Sequence, residues 1–387
     1  MSLLISLFSV QILSIILLLF RLISINLMTN ILRFSYAFFL LFSGFVKIID
    51  PLGFSYKLQE YFEVFGMEWL VPLSLFFSVF VCVFELFLGL FLMCGIHIRK
   101  VMWGNLLLMI FFTFLTFFSA YFNKVTDCGC FGDFMKLDPW HSFFKDIHLL
   151  FISVVLFYFQ KHIHSFFSTV TINRIVFICL ILFVFTPIYS LSHLPFIDFR
   201  AYKIGANIVD DRRLPDNARK DIYEHVWFYA IDGQVQEFQT SDEPWSIDGA
   251  VFKDKVTKLI SKGDEPKIVD FDIVQSELDN DVTDSILNLE KVYLVVCYDI
   301  EKTNLKGHEE INPFLQEIID SNVPLVGLSA SSNIEIKNKL TSSNLNYPFF
   351  LVDQTTLKTM VRSNPGVFLM ENGVVVNKWH WRDFNFN

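Results

Sequence analysis

The sequence predicts an α-helical membrane bundle followed by a soluble α/β domain, and three observations predict it. The 387-residue chain is 53% hydrophobic and only 18% charged, with 46 phenylalanines. Those averages divide sharply along its length. Up to about residue 192 the chain consists of long apolar runs with sparse charges, whereas from about Phe199 onward Asp, Glu, Lys and Asn become frequent. Beyond Pro266 strand-like and helix-like patterns alternate, which is the order of an α/β layer fold. The composition breaks near Leu194-Pro195, and most of the net charge of −9 falls after it. No cluster of basic residues interleaved with aromatics is present, so nothing points to nucleic acid.

A bilayer core about 30 Å thick needs roughly 20 apolar residues of helix. Residues 31–49, 72–95, 101–122, 143–159 and 175–191 meet that requirement, the fourth being the shortest. An earlier run, 3–20, is long enough to form a sixth span, yet it lacks the positive flank of a signal peptide. Met28 offers an alternative start that would leave residues 1–27 outside the native chain. The expected divisions are therefore an N-terminal hydrophobic extension (1–28), a four-helix membrane domain (29–160), a loop and fifth helix (161–195), a strand-rich lead-in (199–265) and a final domain (266–387).

Basic residues in short loops set orientation. Arg21 and Arg33, His97 to Lys100, and Lys161 to Arg174 fall on one side if the spans alternate, and that side is expected to be the cytoplasm. Loops 50–70 and 123–140 then face outward, as does everything after residue 191. The expected location is the cytoplasmic (inner) membrane, with the C-terminal domain periplasmic or extracytoplasmic.

Of the six cysteines, Cys82, Cys94 and Cys179 lie in spans and Cys297 in an apolar strand-like run, where small buried side chains are the ordinary reading. Cys128 and Cys130 differ. They sit in Thr126-Asp127-Cys128-Gly129-Cys130-Phe131-Gly132-Asp133, within an outward loop whose compartment permits disulfides. Two cysteines at i and i+2 can pair only if the chain turns between them, and Gly129 supplies that freedom. So small a ring favours a reducible bond and hence a redox role. A static disulfide stays open, as does a metal held with His141 or Asp133.

Phe42-Ser43-Gly44-Phe45-Val46-Lys47 before Asp50-Pro51, Phe84-Glu85-Leu86-Phe87-Leu88-Gly89, and Asp127-Cys128-Gly129-Cys130-Phe131-Gly132 together resemble the DoxX-like/MauE group of membrane proteins over about residues 29–160. The resemblance implies a four-helix bundle tied to disulfide chemistry. MauE supports maturation of a disulfide-rich methylamine dehydrogenase subunit, and some DoxX relatives are linked to quinone-coupled sulfur oxidation. The layout as a whole is similar to a Bacteroidetes-type variant with a fifth span and a thioredoxin-like tail.

Charges inside a membrane are costly and usually pair or line a site. Glu85 lies about 15 Å from the inner end of its span, at 1.5 Å per residue. Lys47 lies nearer the outer face. Glu85 and Lys47, with His148 as a further candidate, suggest a proton path beneath the cysteine loop; snorkelling of Lys47 and a structural hydrogen bond for Glu85 are the alternatives. Asn105, Thr113 and Thr116 are expected to bond across helices. Residues 56–69 place Leu58, Tyr61, Phe62 and Phe65 at helical spacing, an amphipathic helix on the bundle or bilayer surface that could shield the loop.

In the soluble part, Asp232-Gly233 between apolar runs marks a hairpin. Strands are expected at 292–298, 324–329 and 347–352, helices at 309–320, 333–340 and 355–361, and a last hairpin turns on Glu371-Asn372-Gly373. This order resembles the thioredoxin/TlpA superfamily, with Asn364-Pro365 where that superfamily places its cis-proline. The Cys-x-x-Cys that should follow the first central strand is replaced by Tyr298-Asp299-Ile300-Glu301-Lys302-Thr303, and no cysteine follows Cys297.

The expected function is a membrane thiol-disulfide redox protein, quinone-linked or coupled to a partner thiol protein. Cys128 and Cys130 are its working residues, and Gly129, Asp127, Asp133, Lys47, Glu85 and His148 support them. The alternative is a non-enzymatic assembly or chaperone-like factor whose soluble domain holds a secreted client. No haem or flavin motif is present.

Overall fold

A computed structural model describes residues 2–125, 129–135, 137–231, 233–261, 263–275, 280–340 and 347–384. In chain order the membrane half comprises α1 (Ser2–Leu19), α2 (Ile25–Ile49), α3 (Pro51–Val64), α4 (Ser74–Cys94), α5 (Ile98–Phe122), α6 (Pro139–Tyr158) and α7 (Thr169–Ser192). Among the described residues five helical stretches are long and apolar enough to cross a membrane: α2, α4 with its leading 3-10 turn, α5, α6 and α7. The apolar, 18-residue α1 packs along α2. Helices α2, α4, α5 and α6 form the bundle, and α7 leans on α2 and α4, with Phe183 edge-on to Phe87 at 5.4 Å.

Local chemistry sets the helix ends. Asp50 stops α2 and caps α3, its carboxylate accepting from the Gly53 N–H at 3.1 Å, with Pro51 in the first turn. The same Asp-Pro device, Asp138-Pro139, starts α6 four residues before the apolar run begins, because the cap and not hydropathy fixes the helix start. The amphipathic segment also begins earlier than its pattern suggests. Phe54, Leu58 and Tyr61 of α3 are buried against the end of the bundle that carries the cysteine loop, where the Tyr61 hydroxyl lies 2.7 Å from Ser119 Oγ. This helix therefore lies on protein rather than on lipid.

At the opposite end Arg33 is fully buried. It donates to the Leu92, Met93 and His164 carbonyls at 2.7–2.8 Å, joining α2, the end of α4 and the loop before α7. A helix C-terminus carries unpaired carbonyls and partial negative charge, which a guanidinium satisfies. Gly95 closes α4 at φ +74°, and a Cβ there would lie 2.6 Å from the Arg33 guanidinium. Basic loop residues thus share one end of the bundle, while α3, the cysteine loop and the soluble domain share the other.

After α8 (Ile208–Asp211), strands β1 (Ile222–Ile231), β2 (Gln234–Gln239) and β3 (Val251–Ser261) form an antiparallel sheet in the order β2-β1-β3. The third strand is longer than the lead-in pattern implies. Then follow β4 (Val274–Gln275), β5 (Asn280–Asp281), α9 (Thr283–Leu287), β6 (Val292–Cys297), α10 (Leu305–Asp320), β7 (Leu325–Ser329), α11 (Asn333–Lys339), β8 (Phe349–Leu351), α12 (Gln354–Met360), β9 (Gly366–Glu371) and β10 (Val374–His380). They build a seven-stranded sheet, β10-β9-β6-β7-β8-β4-β5. Strands β6, β7 and β8 are parallel, and the β9-β10 hairpin joins the other side of β6 antiparallel. This is the thioredoxin arrangement, and the Asn364-Pro365 bond is cis.

Strand periodicity explains the two cores. Val292, Leu294 and Val296 of β6 face one side with Leu357 and Met360 of α12; Val295 and Cys297 face the other with Ile311 and Leu315 of α10. Asp198, in the linker after α7, pairs with Arg200 and with Lys378 of β10, fixing the linker to the sheet.

Arg33→Met leaves three carbonyls without their donor. Hydrogen bonds to charged groups contribute about 1.5–3 kcal/mol each, so we expect detergent-solubilised protein to lose at least about 3 kcal/mol in chemical unfolding. A loss under about 1 kcal/mol would show that Arg33 does not hold the helix ends together.

Candidate functional site beneath the cysteine loop

The loop between α5 and α6 folds back into the bundle. Cys130 is buried, and its carbonyl accepts a hydrogen bond from Ser43 Oγ of α2 at 3.0 Å. Phe131 is fully buried, edge-on to Phe39 at 5.6 Å and tilted against Phe42 at 6.2 Å. This aromatic plug holds the loop in place. Gly129 has φ +65°, and a Cβ there would lie 3.1 Å from Cγ of Lys57, so α3 covers the loop closely enough to require glycine. Asp127 and Cys128 lie outside the described residues. His141 pairs with Asp138 at the start of α6.

Beneath Cys130 the bundle holds two ion pairs. Lys47 of α2 and Glu85 of α4 are 1% and 2% exposed and bonded to each other. The Lys47 ammonium lies 4.8 Å from the Phe112 ring and 5.4 Å from that of Phe54, and is close enough to Cys130 and Cys82 to interact electrostatically with both. Lys47 thus turns inward rather than reaching for the interface. One helix further round, Lys145 Nζ meets Asp146 Oδ1 at 2.5 Å and stands 5.4 Å from the Phe131 ring. Asp146 Oδ2 also accepts from Thr116 Oγ1 at 3.0 Å.

Two expected partners stand elsewhere. His148 bonds Gln11 Oε1 of α1 at 2.8 Å and packs on Phe8, away from the Lys47–Glu85 pair. Helix α6 turns it toward α1, a helix whose packing hydropathy does not specify. Asn105 is fully buried, yet its amide finds no hydrogen-bond partner among the described residues, unlike Thr113 and Thr116. The Lys145–Asp146 pair was legible as adjacent opposite charges inside an apolar run.

Asp133, three residues beyond Cys130, points away from the bundle to Arg362 of the soluble domain. Arg362 is 4% exposed. Its Nε lies 2.9 and 3.0 Å from the two Asp50 oxygens, and Nη2 is 2.8 Å from Asp50 Oδ2 and 3.2 Å from Asp133 Oδ2. The guanidinium also sits 5.4 Å from the Tyr56 ring of α3, whose hydroxyl interacts with Tyr298. Arg362 stands at the end of α12, just before Asn364-Pro365, and Tyr298 follows β6. The face where a thioredoxin-like fold presents its chemistry is therefore turned onto the cysteine loop.

The soluble domain carries one cysteine, Cys297, and it is buried. Burial pushes the Cys297 thiol up to about 12 and His308 down to about 4, so both are neutral at ordinary pH, with the sulfur 3.8 Å from His308 Nε2. Arg362 carried one weak sequence signal, a basic residue beside the expected cis-proline. Its partners could not be read, because Asp50 lies 312 positions away.

The family described as methylamine utilisation protein MauE matches residues 25–159, which take in α2 to α6 and the cysteine loop. No curated protein sequence matches the chain. A solution structure from Bacteroides thetaiotaomicron, provisionally assigned as a protein disulfide isomerase, is similar at 17% identity over 30% of this chain and 77% of that one, with a TM-score of 0.23. The thioredoxin-like fold rests on the strand order above.

Burial pushes the Asp50 carboxyl up, but Arg362 outweighs it and holds the group below the usual carboxylate range. A depressed carboxylate stabilises above its unfolded value of about 3.9 and loses that contribution as pH falls through the folded value. We therefore expect domain docking to be pH-insensitive above about pH 5 and to weaken below about pH 4. Removing one partner of a buried pair costs about 3–5 kcal/mol. Arg362→Gln should accordingly cut amide protection in α3 and residues 129–134 at least about 100-fold in hydrogen exchange; unchanged protection would refute the clamp.

Proposed function

We propose that the chain is a multi-pass membrane thiol-disulfide redox protein in which Cys128 and Cys130 cycle between dithiol and disulfide at the extracytoplasmic face. It would support oxidative maturation of proteins exported across that membrane. The observation that carries this reading is the buried Lys47 ammonium within electrostatic reach of Cys130. A fixed positive charge beside a thiol favours the thiolate, the reactive and leaving form. The similarity of residues 25–159 to the MauE family supports the same reading.

The steps balance without a bound cofactor. A client thiolate attacks the Cys128 sulfur of the disulfide, the sulfur-sulfur bond breaks, and Cys130 leaves as a thiolate facing Lys47. A second client thiolate attacks the mixed disulfide and displaces Cys128. The client gains a disulfide, and the pair holds the two electrons. Reoxidation proceeds by the reverse exchange with a partner disulfide protein, or by a quinone that takes two electrons and two protons to become a hydroquinone. Glu85, bonded to Lys47, is the candidate proton acceptor for that second route.

A second reading is favoured by the Arg362 contact. If the loop is permanently clamped, its disulfide only pins it, and the soluble domain holds a secreted client in a non-enzymatic assembly factor.

Trapping separates the two. With Cys130→Ser, a mixed disulfide between Cys128 and a client should accumulate, while Cys128→Ser should trap far less because Cys130 is buried. If membrane-impermeant maleimide never labels the wild-type pair, even with the quinone pool held reduced, the redox reading is wrong. Lys47→Met alone should destabilise the bundle by about 3–5 kcal/mol, because it strands a buried Glu85. The double variant Lys47→Met/Glu85→Leu should recover stability while thiol exchange stays at least tenfold slower; full recovery of exchange would remove Lys47 from the mechanism.

A further inference from the structure

Strands β1, β2 and β3 form a sheet of their own, in which β3 has β1 on one side and, among the described residues, no strand on the other. At eleven residues β3 is the longest strand among the described residues, and every one of the eleven is exposed. Val251, Phe252, Val256, Leu259 and Ile260 are among them. A long edge with apolar side chains presents a row of main-chain donors and acceptors to any strand able to pair with it. We propose that β3 pairs antiparallel with β3 of a second copy of this chain, about a two-fold axis through Val256, to give a six-stranded sheet in the order β2-β1-β3-β3-β1-β2. The proposal does not rest on the redox reading above.

The charges along β3 select both the partner and the register. Pairing centred on Val256 sets Asp254 opposite the second copy's Lys258, and by symmetry Lys258 opposite the second copy's Asp254. Lys255 then faces Thr257 and Lys253 faces Leu259, so no like charges stand directly opposite. The neighbouring registers fail. Centring on Lys255 or Lys258 sets a lysine against itself, and centring on Asp254 sets Lys253 against Lys255. Centring on Thr257 sets Asp254 against Ile260 and gives no ion pair. The β1–β3 ladder skips Lys253 and Ile260, and these two bulges bound the regular stretch that the pairing uses. The Lys255 N–H donates to Asp254 Oδ1 at 2.8 Å, an acceptor outside the ladder. Lys255 and, two residues on, Thr257 thus turn their main-chain groups outward, and in this register they are the residues that exchange hydrogen bonds. Within its own chain Lys258 faces Glu224 of β1, so pairing places its ammonium between two carboxylates. Lys255 would have the second copy's Lys255 as a diagonal neighbour, but its ammonium is drawn back over the Trp227 ring of β1 at 4.5 Å. The other outer strand, β2, is six residues long with Glu237 as its one charge, so it cannot form a reciprocal ion pair.

In this register Val256 meets itself as a non-hydrogen-bonded pair, whose Cα atoms lie about 4.5 Å apart, inside the range of about 4.4–6.8 Å that a disulfide spans. With the full chain in intact membranes and a Cys128→Ser/Cys130→Ser background, Val256→Cys should give a covalent dimer on mild oxidation, whereas Glu237→Cys on the β2 edge should not. Absence of the crosslink at position 256, or equal crosslinking from both positions, overturns the pairing. Charge supplies a second measurement that needs no introduced cysteine. In liposomes, with donor and acceptor fluorophores attached after Asn387 and the chains diluted by added lipid, Asp254→Lys should raise the dimer Kd at least about tenfold, because two ion pairs become two like-charge contacts. Mixing Asp254→Lys copies with Lys258→Glu copies should return the Kd to near the wild-type value, since each charge again meets its opposite. An Asp254→Lys Kd equal to that of wild type, or a mixture that pairs no more tightly than Asp254→Lys alone, overturns the proposal.

Discussion

Arg362 is almost wholly buried where the two halves meet, and it binds carboxylates from two separate segments of the membrane half. Asp50 ends one bundle helix and starts α3; Asp133 closes the cysteine loop. A guanidinium suits this position because its planar fork can satisfy two carboxylates at once, and it stays charged at any relevant pH. Burying such a charge unpaired would cost several kcal/mol. The pairing therefore specifies one docking geometry more strictly than apolar contact would. The orientation of the thioredoxin-like face toward the cysteine loop follows from that geometry.

The membrane half applies the same constraint to chemistry. Lys47 and Glu85 come from different helices and neutralise each other in surroundings that cannot solvate either. An ion pair of this kind contributes little net stability compared with apolar side chains of equal volume. Arg33, at the other end, shows the structural use of a buried charge: it fills the carbonyl sockets of helix ends.

The soluble domain separates fold from activity. Its sheet order, cis-proline and helices are those of a thioredoxin-like protein, while the position of the active cysteines carries Tyr298 and its neighbours. Tyr298 meets Tyr56, and Arg362 meets Asp50, so residues on the usual reactive face have become contacts to the bundle. The surviving Cys297 lies inside β6, its thiol kept protonated by burial.

The sequence by itself determined what depends on local pattern. Hydropathy located the apolar helices, short apolar runs located β6, β7 and β9, and Cys128-Gly129-Cys130 marked the loop. Those signals are short-range and survive without a fold. Tertiary structure decided which charges meet. Lys47 finds Glu85 across two helices, His148 turns to Gln11 of α1, and Asn105 finds no partner among the described residues. Arg362 reaches Asp50 over a separation of 312 residues. Such pairings are set by helix rotation and domain docking, which minimise unpaired buried charge over the whole molecule and leave no periodic trace in the chain.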